Sequence, residues 1–321
     1  MKKIYKIVFS LVLCLFTGYA LLDTFVISRP YSPAASATAA DAASAAVKEA
    51  VDDSNNTNEE SNKAVTQVNS KPDTKSTSVT SNSYSDDNIS ITLTTDRVND
   101  TTVYVADITL SSPEYLKTAL ANDTYGKNVT AATSDIADSV NAILAINGDY
   151  YGARESGYVI RNGVIYRDTA IEGQQDLVIY ENGEFEVITE DEISAEELLA
   201  KGAYQVFSFG PGLLSNGEIT VSENEEVGRA MASNPRTAIG EIEKNHYVMV
   251  VADGRTSESA GLSLYELAEY MQSLGVKCAY NLDGGGSSTM VFNGTVVNNP
   301  TTSGRSIGRE RKVSDIVYIK A

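Results

Sequence analysis

Three aspartates stand where apolar runs stop. Asp149 follows Ala142–Asn147 and Gly148, Asp253 follows Tyr247–Ala252, and Asp283 follows Val276–Leu282, each with a glycine beside it. An apolar run rich in strand formers that ends in a glycine-flanked acid delivers a carboxylate to the rim of a sheet, where clefts form. One such acid is most simply a turn former, whereas three in one chain point to a shared cleft. Behind Asp283 come Gly284, Gly285, Gly286 and Ser287. Glycines there permit positive φ and bare main-chain N–H groups, which suits a phosphate or a sugar hydroxyl. A glycine run alone reads equally well as a turn capped by serines.

Three arginines accompany the acids. Arg236 follows Asn234-Pro235 at the mouth of an expected strand, Arg255 follows Asp253-Gly254, and Arg311 follows Glu310 ahead of the last strand, Val313–Ile319. Guanidinium groups stay charged and match phosphate bidentately, so they are candidate anion readers. Their bland alternative is surface pairing with some of the 43 acids of a chain whose formal charge is −18. That charge argues against nucleic acid as a partner. The lone histidine, His246, lies in a strand-like run, which argues against a histidine triad or a multi-histidine zinc site. Cys14 and Cys278 suggest no disulfide framework. Carboxylates and arginines remain, an inventory for hydrolysis at an anomeric carbon or for phosphate chemistry with a metal. No cofactor is demanded; oxygen ligands would allow a divalent cation at Asp283, without a ligand spacing that requires one.

The elements that must position these groups can be read from periodicity. Ile89, Ile91 and Leu93, then Val103, Val105, Ile108 and Leu110, alternate as two strands. A short helix is expected after Pro113, and another with an N-cap in Thr133-Ser134-Asp135 running to about Asn141. Asn162-Gly163, Asn182-Gly183, Asn216-Gly217 and Asn293-Gly294 each suit a type I′ hairpin. Ser194 with Glu197 and Ser263 with Glu266 form capping boxes, closed by Gly202 and Gly275. The expectation is an α+β fold: a mixed, largely antiparallel sheet with a few packing helices in a single domain, residues 88–321.

Lys2, Lys3 and Lys6 precede an apolar stretch that runs, with Asp23 near its outer end, to Ile27. Its length suits a bilayer span with an inside N-terminus, so residues 1–28 are expected to be a signal anchor in the cell membrane and the rest to be extracytoplasmic. A cleaved signal peptide, cut near Ala35–Ala39, is the competing reading. Residues 29–87 shift to Ala, Ser, Thr, Asn and Asp and are expected to form a disordered low-complexity stalk.

Eight motifs keep a fixed order along the chain: Asn147–Tyr151, the hairpin 157–167, Phe209–Leu214, Asn234–Ala238, Val251–Arg255, Gly261–Ala268, Asn281–Ser288 and Glu310–Asp315. Together they resemble the phosphodiester glycosidase family, whose animal members remove N-acetylglucosamine from a phosphodiester and whose bacterial members are often labelled exopolysaccharide biosynthesis proteins. The resemblance implies cleavage between an anomeric carbon and a phosphate oxygen. The substrate would be a sugar-1-phosphodiester of a cell-envelope glycan or exopolysaccharide. On this reading Arg236, supported by Arg255 or Arg311, holds the phosphate beside the amides of Gly284, Gly285 and Gly286. Asn147, Asn281 and Ser287 join them as binding candidates. One of Asp149, Asp253 and Asp283 acts as base or nucleophile, with Glu310 a fourth candidate. Two rival functions stay open: a non-catalytic glycan- or wall-binding module, and a metal-dependent phosphodiesterase that cuts at phosphorus.

Overall fold

A computed structural model describes residues 2–33, 77–224, 233–304 and 306–321. Most of the expected stalk, residues 34–76, lies outside the described residues. The described chain is a mixed, mainly antiparallel fold with four α-helices: α1 (Lys2–Phe25), α2 (Thr133–Val140), α3 (Ala195–Ala200) and α4 (Leu264–Ser273).

A nine-stranded sheet forms the backbone of the molecule. Its spatial order runs Glu218–Ile219, Gly212–Ser215, Cys278–Leu282, Arg236–Glu243, His246–Ala252, Thr101–Leu110, Ile89–Val98, Ser83–Ser85 and Ser78–Val79. The last two lie upstream of the expected domain start at residue 88. Side-chain alternation explains why the central strands read as unbroken apolar runs. Tyr247, Met249 and Val251 face a core shared with two five-stranded sheets, while Val248, Val250 and Ala252 face α4. One five-stranded sheet carries Val159–Arg161 and Ala203–Phe207; the other carries Leu144–Asn147 and Asp315–Ile319. The outer faces of these two sheets are covered by α3 and α2.

Register decides where the site falls. Arg236 pairs with Ala252, and Thr237 pairs with Leu282, in antiparallel ladders. The strand that starts at Arg236 is therefore flanked by two strands that end there, so Asp253 and Asp283 emerge beside Arg236 at one end of the sheet. Asn147 closes the rim: its Nδ2 donates to the Asp283 carbonyl at 2.6 Å, and the Asp283 amide donates to Gly148 O at 3.3 Å.

Local signals behave unevenly. Both capping boxes form, and Gly202 and Gly275 take the expected positive φ. Three Asn-Gly pairs have positive φ at both residues; at Asn182-Gly183 only Gly183 does, because Tyr180 N–H bonds Glu184 O across a longer loop. After Pro113 there is a single 3-10 turn, Pro113–Tyr115. α2 begins behind Ala132, which offers no side-chain cap.

Candidate active site

Asp283 is the last residue out of the strand Cys278–Leu282 and is 7% exposed. Its Oδ2 accepts from Arg311 Nη2 at 2.7 Å, and Ser287 and Gly284 adjoin the carboxylate. Burial pushes the Asp283 carboxyl upward, while Arg311, Ser287 and the Gly284 amide pull it back. Arg311 fastens itself twice more, Nε to Ser287 Oγ at 2.9 Å and Nη2 to Gly284 O at 3.0 Å. Its side chain is still 40% exposed toward the cleft.

Arg255 approaches from the strand that ends at Ala252. Its φ is +62°, a left-handed conformation in a residue with a Cβ, which costs about 1–3 kcal/mol and marks functional geometry when the surroundings enforce it. The guanidinium donates to Asn234 Oδ1 at 3.2 and 2.8 Å and to Thr302 O at 2.7 Å. Those are neutral acceptors. Burial, then the neighbouring Arg311 and Arg236, lower its proton affinity, and Asp283 opposes them. The same-sign coupling records that three guanidinium groups converge. Arg236, 3% exposed, donates from Nε to Leu262 O at 2.8 Å.

These groups line one cleft of about 150 Å³, with Asn234, Asn281, Gly284, Gly285 and Phe209. That is room for roughly five waters, the scale of a phosphate with part of a sugar. Asn281 is 1% exposed; its Nδ2 donates to Gly210 O at 2.8 Å and its Oδ1 accepts no hydrogen bond.

Gly284 and Gly285 line the cleft, and the backbone of this loop is also engaged by its neighbours. The Gly285 amide is spent on Pro235 O at 2.8 Å, while Gly284 lies against the Asp283 carboxylate. Close approach is what excludes side chains here. A Cβ at Gly284 would lie 2.8 Å from Pro235 O, and one at Gly286 would lie 2.1 Å from Thr302 Oγ1. The loop is bare so that the segment carrying Thr302 and Arg311 can pack onto it. Ser287 works through Arg311 and Asp283, and Asn147 through the Asp283 backbone.

Three of the four candidate acids point elsewhere. Asp149 Oδ2 accepts from Arg161 Nη2 at 2.8 Å and from the Ser208 amide at 3.1 Å, and its Oδ1 takes the Tyr151 amide. Arg161, 1% exposed, also binds Asp315 Oδ2 through Nε at 2.8 Å and lies over the Phe207 ring. Asp253 accepts from Asn298 Nδ2 at 3.1 Å and the Asn299 amide at 3.0 Å, rooting the segment that leads to Thr302. Glu310 accepts from Ser134 N at 3.0 Å and Ser134 Oγ at 2.5 Å, so it caps α2. Among the described residues lining the cleft, Asp283 is the sole carboxylate. Also among the described residues, no three His, Cys, Asp or Glu side chains gather as a metal site.

Phe209 and Asn234 also line the cleft, and in the sequence they are marked only as members of the motifs Phe209–Leu214 and Asn234–Ala238. Arg161 and Asp315 were not anticipated: Arg161 sits mid-hairpin with nothing local to mark a buried charge. His246 pairs with Asp107 at 3.1 Å on the surface, and burial holds the Cys278 thiol up at about 12, so neither enters the chemistry.

The model of the phosphodiester glycosidase family matches residues 140–320. The uncharacterized SPbeta prophage-derived protein YomE of Bacillus subtilis is 30% identical over 202 residues, 61% of this chain and 30% of that protein. The mouse N-acetylglucosamine-1-phosphodiester alpha-N-acetylglucosaminidase is 29% identical over 188 residues, 53% of this chain and 36% of the mouse protein. These matches span about a third of the relatives' length. The catalytic domain of the zebrafish enzyme of that name, solved auto-inhibited by its pro-peptide, superposes with a TM-score of 0.56 at 21% identity. The match covers 73% of this chain and 83% of that one, which shows the shared fold. With more than half its length matched by the family model, the chain belongs to the phosphodiester glycosidase family.

Proposed function

We propose that this protein hydrolyses a sugar-1-phosphodiester of a cell-envelope glycan or exopolysaccharide, breaking the bond between the anomeric carbon and a phosphate oxygen. The observation that carries the reading is the meeting of one buried carboxylate, Asp283, with Arg236, Arg255 and Arg311 in a single cleft. A phosphate leaving group is already acidic, so a second carboxylate acting as general acid, needed for ordinary glycosides, has little to add. What the departing group requires is charge stabilisation, and preorganised guanidinium groups provide it without reorganising. Arg311 and Arg255, both lining the cleft, hold the phosphate oxygens. Asp283 attacks the anomeric carbon or takes the proton from the attacking water. Asn281 Oδ1 is a spare buried acceptor for a sugar hydroxyl.

α1 contains Val8–Phe25, with mean hydropathy 1.8 and no burial against the protein, long and apolar enough to cross a bilayer. A signal sequence meets the same description. Basic residues ahead of the span favour an inside N-terminus, and we take α1 as a retained anchor with the catalytic domain outside the cell membrane. Incubating the full chain in detergent with a panel of sugar-1-phosphodiesters tests the activity. Release of free sugar together with a phosphomonoester is expected, and Asp283→Asn should abolish it. Binding of the panel with no product from the intact chain would favour a glycan-binding module instead.

A further inference from the structure

The chain immediately after α1 does not leave the domain. Arg29 and Pro30 pair antiparallel with Lys127 and Gly126, and the Tyr31 amide donates to Tyr125 O at 2.8 Å. Ser28 Oγ donates to Asn128 O at 3.0 Å, and Asn128 Nδ2 returns to Thr24 O at 3.2 Å and Ile27 O at 3.1 Å. A side chain of the domain thus caps orphan carbonyls at the end of α1. The Tyr31 ring meets Tyr125 at 6.1 Å between centroids, and Tyr125 stacks on the buried Tyr151 at 5.2 Å. Gly126 belongs to this contact: a Cβ there would lie 2.1 Å from Arg29 O, so the position admits only glycine while the segment runs across it. Arg29 is further held by Asp23 at the end of α1.

We infer that Ser28–Tyr31 is a strap that fastens the domain directly to the membrane exit of α1, turning the face of Tyr125–Asn128 toward the lipid surface. The inference rests on the reading of α1 as a retained anchor. Four residues, and not the length of the segment 34–76, then set the distance between bilayer and domain, and the enzyme serves glycan at the membrane surface.

The test uses the full chain in membranes, with Cys14→Ser to remove the exposed thiol. Arg29→Cys combined with Lys127→Cys places two thiols at paired strand positions, and mild oxidation should join them within one chain in most molecules. A control pair of Arg29→Cys with Glu218→Cys should not join. Adding Gly126→Ala to the first pair should cut the yield at least tenfold while the domain's melting temperature stays unchanged. A full-length chain, shown by intact mass, whose paired cysteines join no better than the control overturns the strap alone. Cross-linking that Gly126→Ala leaves untouched also overturns it. A mass showing that the residues before about Ala37 are missing removes the anchor reading and the strap with it.

Discussion

Arg311 governs the electrostatics of the cleft, because it is the cation touching Asp283 and is also open to a ligand. Arg311→Ala should cost about 10²–10³ in kcat/KM on a sugar phosphodiester, the usual scale for losing one preorganised charge-stabilising donor. It should cost little on an uncharged aryl glycoside, and equal losses on both would deny the phosphate-reading role. The same change has a pH signature. Arg311 is the largest influence holding the buried Asp283 carboxyl down, so its removal raises that carboxyl further. A reaction that needs the ionised carboxylate should then show an acid limb displaced to higher pH, readable in the kcat/KM profile. Gly286→Ala tests the closeness of the loops. Its methyl would collide with Thr302, so the segment bearing Arg311 must shift, and activity should fall with Asp283 and all three arginines still present.

At the scale of elements, several chemistry-bearing residues turn out to hold the scaffold. Glu310 satisfies the first turn of α2, and Glu310→Ala should cost about 1 kcal/mol, a drop of roughly 2–4 °C in melting temperature, with activity per folded molecule retained. A collapse of activity at unchanged stability would return Glu310 to the chemistry. The rim itself was legible in the sequence: apolar runs ending at Asn147, Ala252 and Leu282 announced three strand ends, and register brought two of them to Arg236. Capping boxes were legible too, since cap and partner lie three residues apart. Which carboxylate faces the cleft was not, because the other three acids are held by partners that only the fold brings to them. Arg161 and the Ser208 amide take Asp149, Asn298 and Asn299 take Asp253, and Ser134 takes Glu310. The glycines carry a second reason for being bare, the close approach of Pro235 and Thr302. A bare backbone looks the same whether it awaits a ligand or the backbone of another segment.

Across the whole molecule, the Asp149–Arg161–Asp315 cluster ties the two smaller sheets together with two buried acids and one cation. Burial and the neighbouring Asp149 push the Asp315 carboxyl up to about 7 against the pull of Arg161. A folded-state value above the unfolded one means the native protein binds the extra proton. This contribution to stability is fully present below about pH 4 and is lost as pH rises toward 7. Melting temperature should therefore decline from pH 5 to 7.5, and Asp315→Asn should flatten that slope; an unchanged slope would place the proton elsewhere. Hydrolysis in ¹⁸O-labelled water shows most directly which bond is broken. If Asp283 and the three arginines act at the anomeric carbon, the label enters the released sugar, none enters the phosphomonoester, and Asp283→Asn stops both products. Label in the phosphate, or full turnover without the Asp283 carboxylate, would contradict the account.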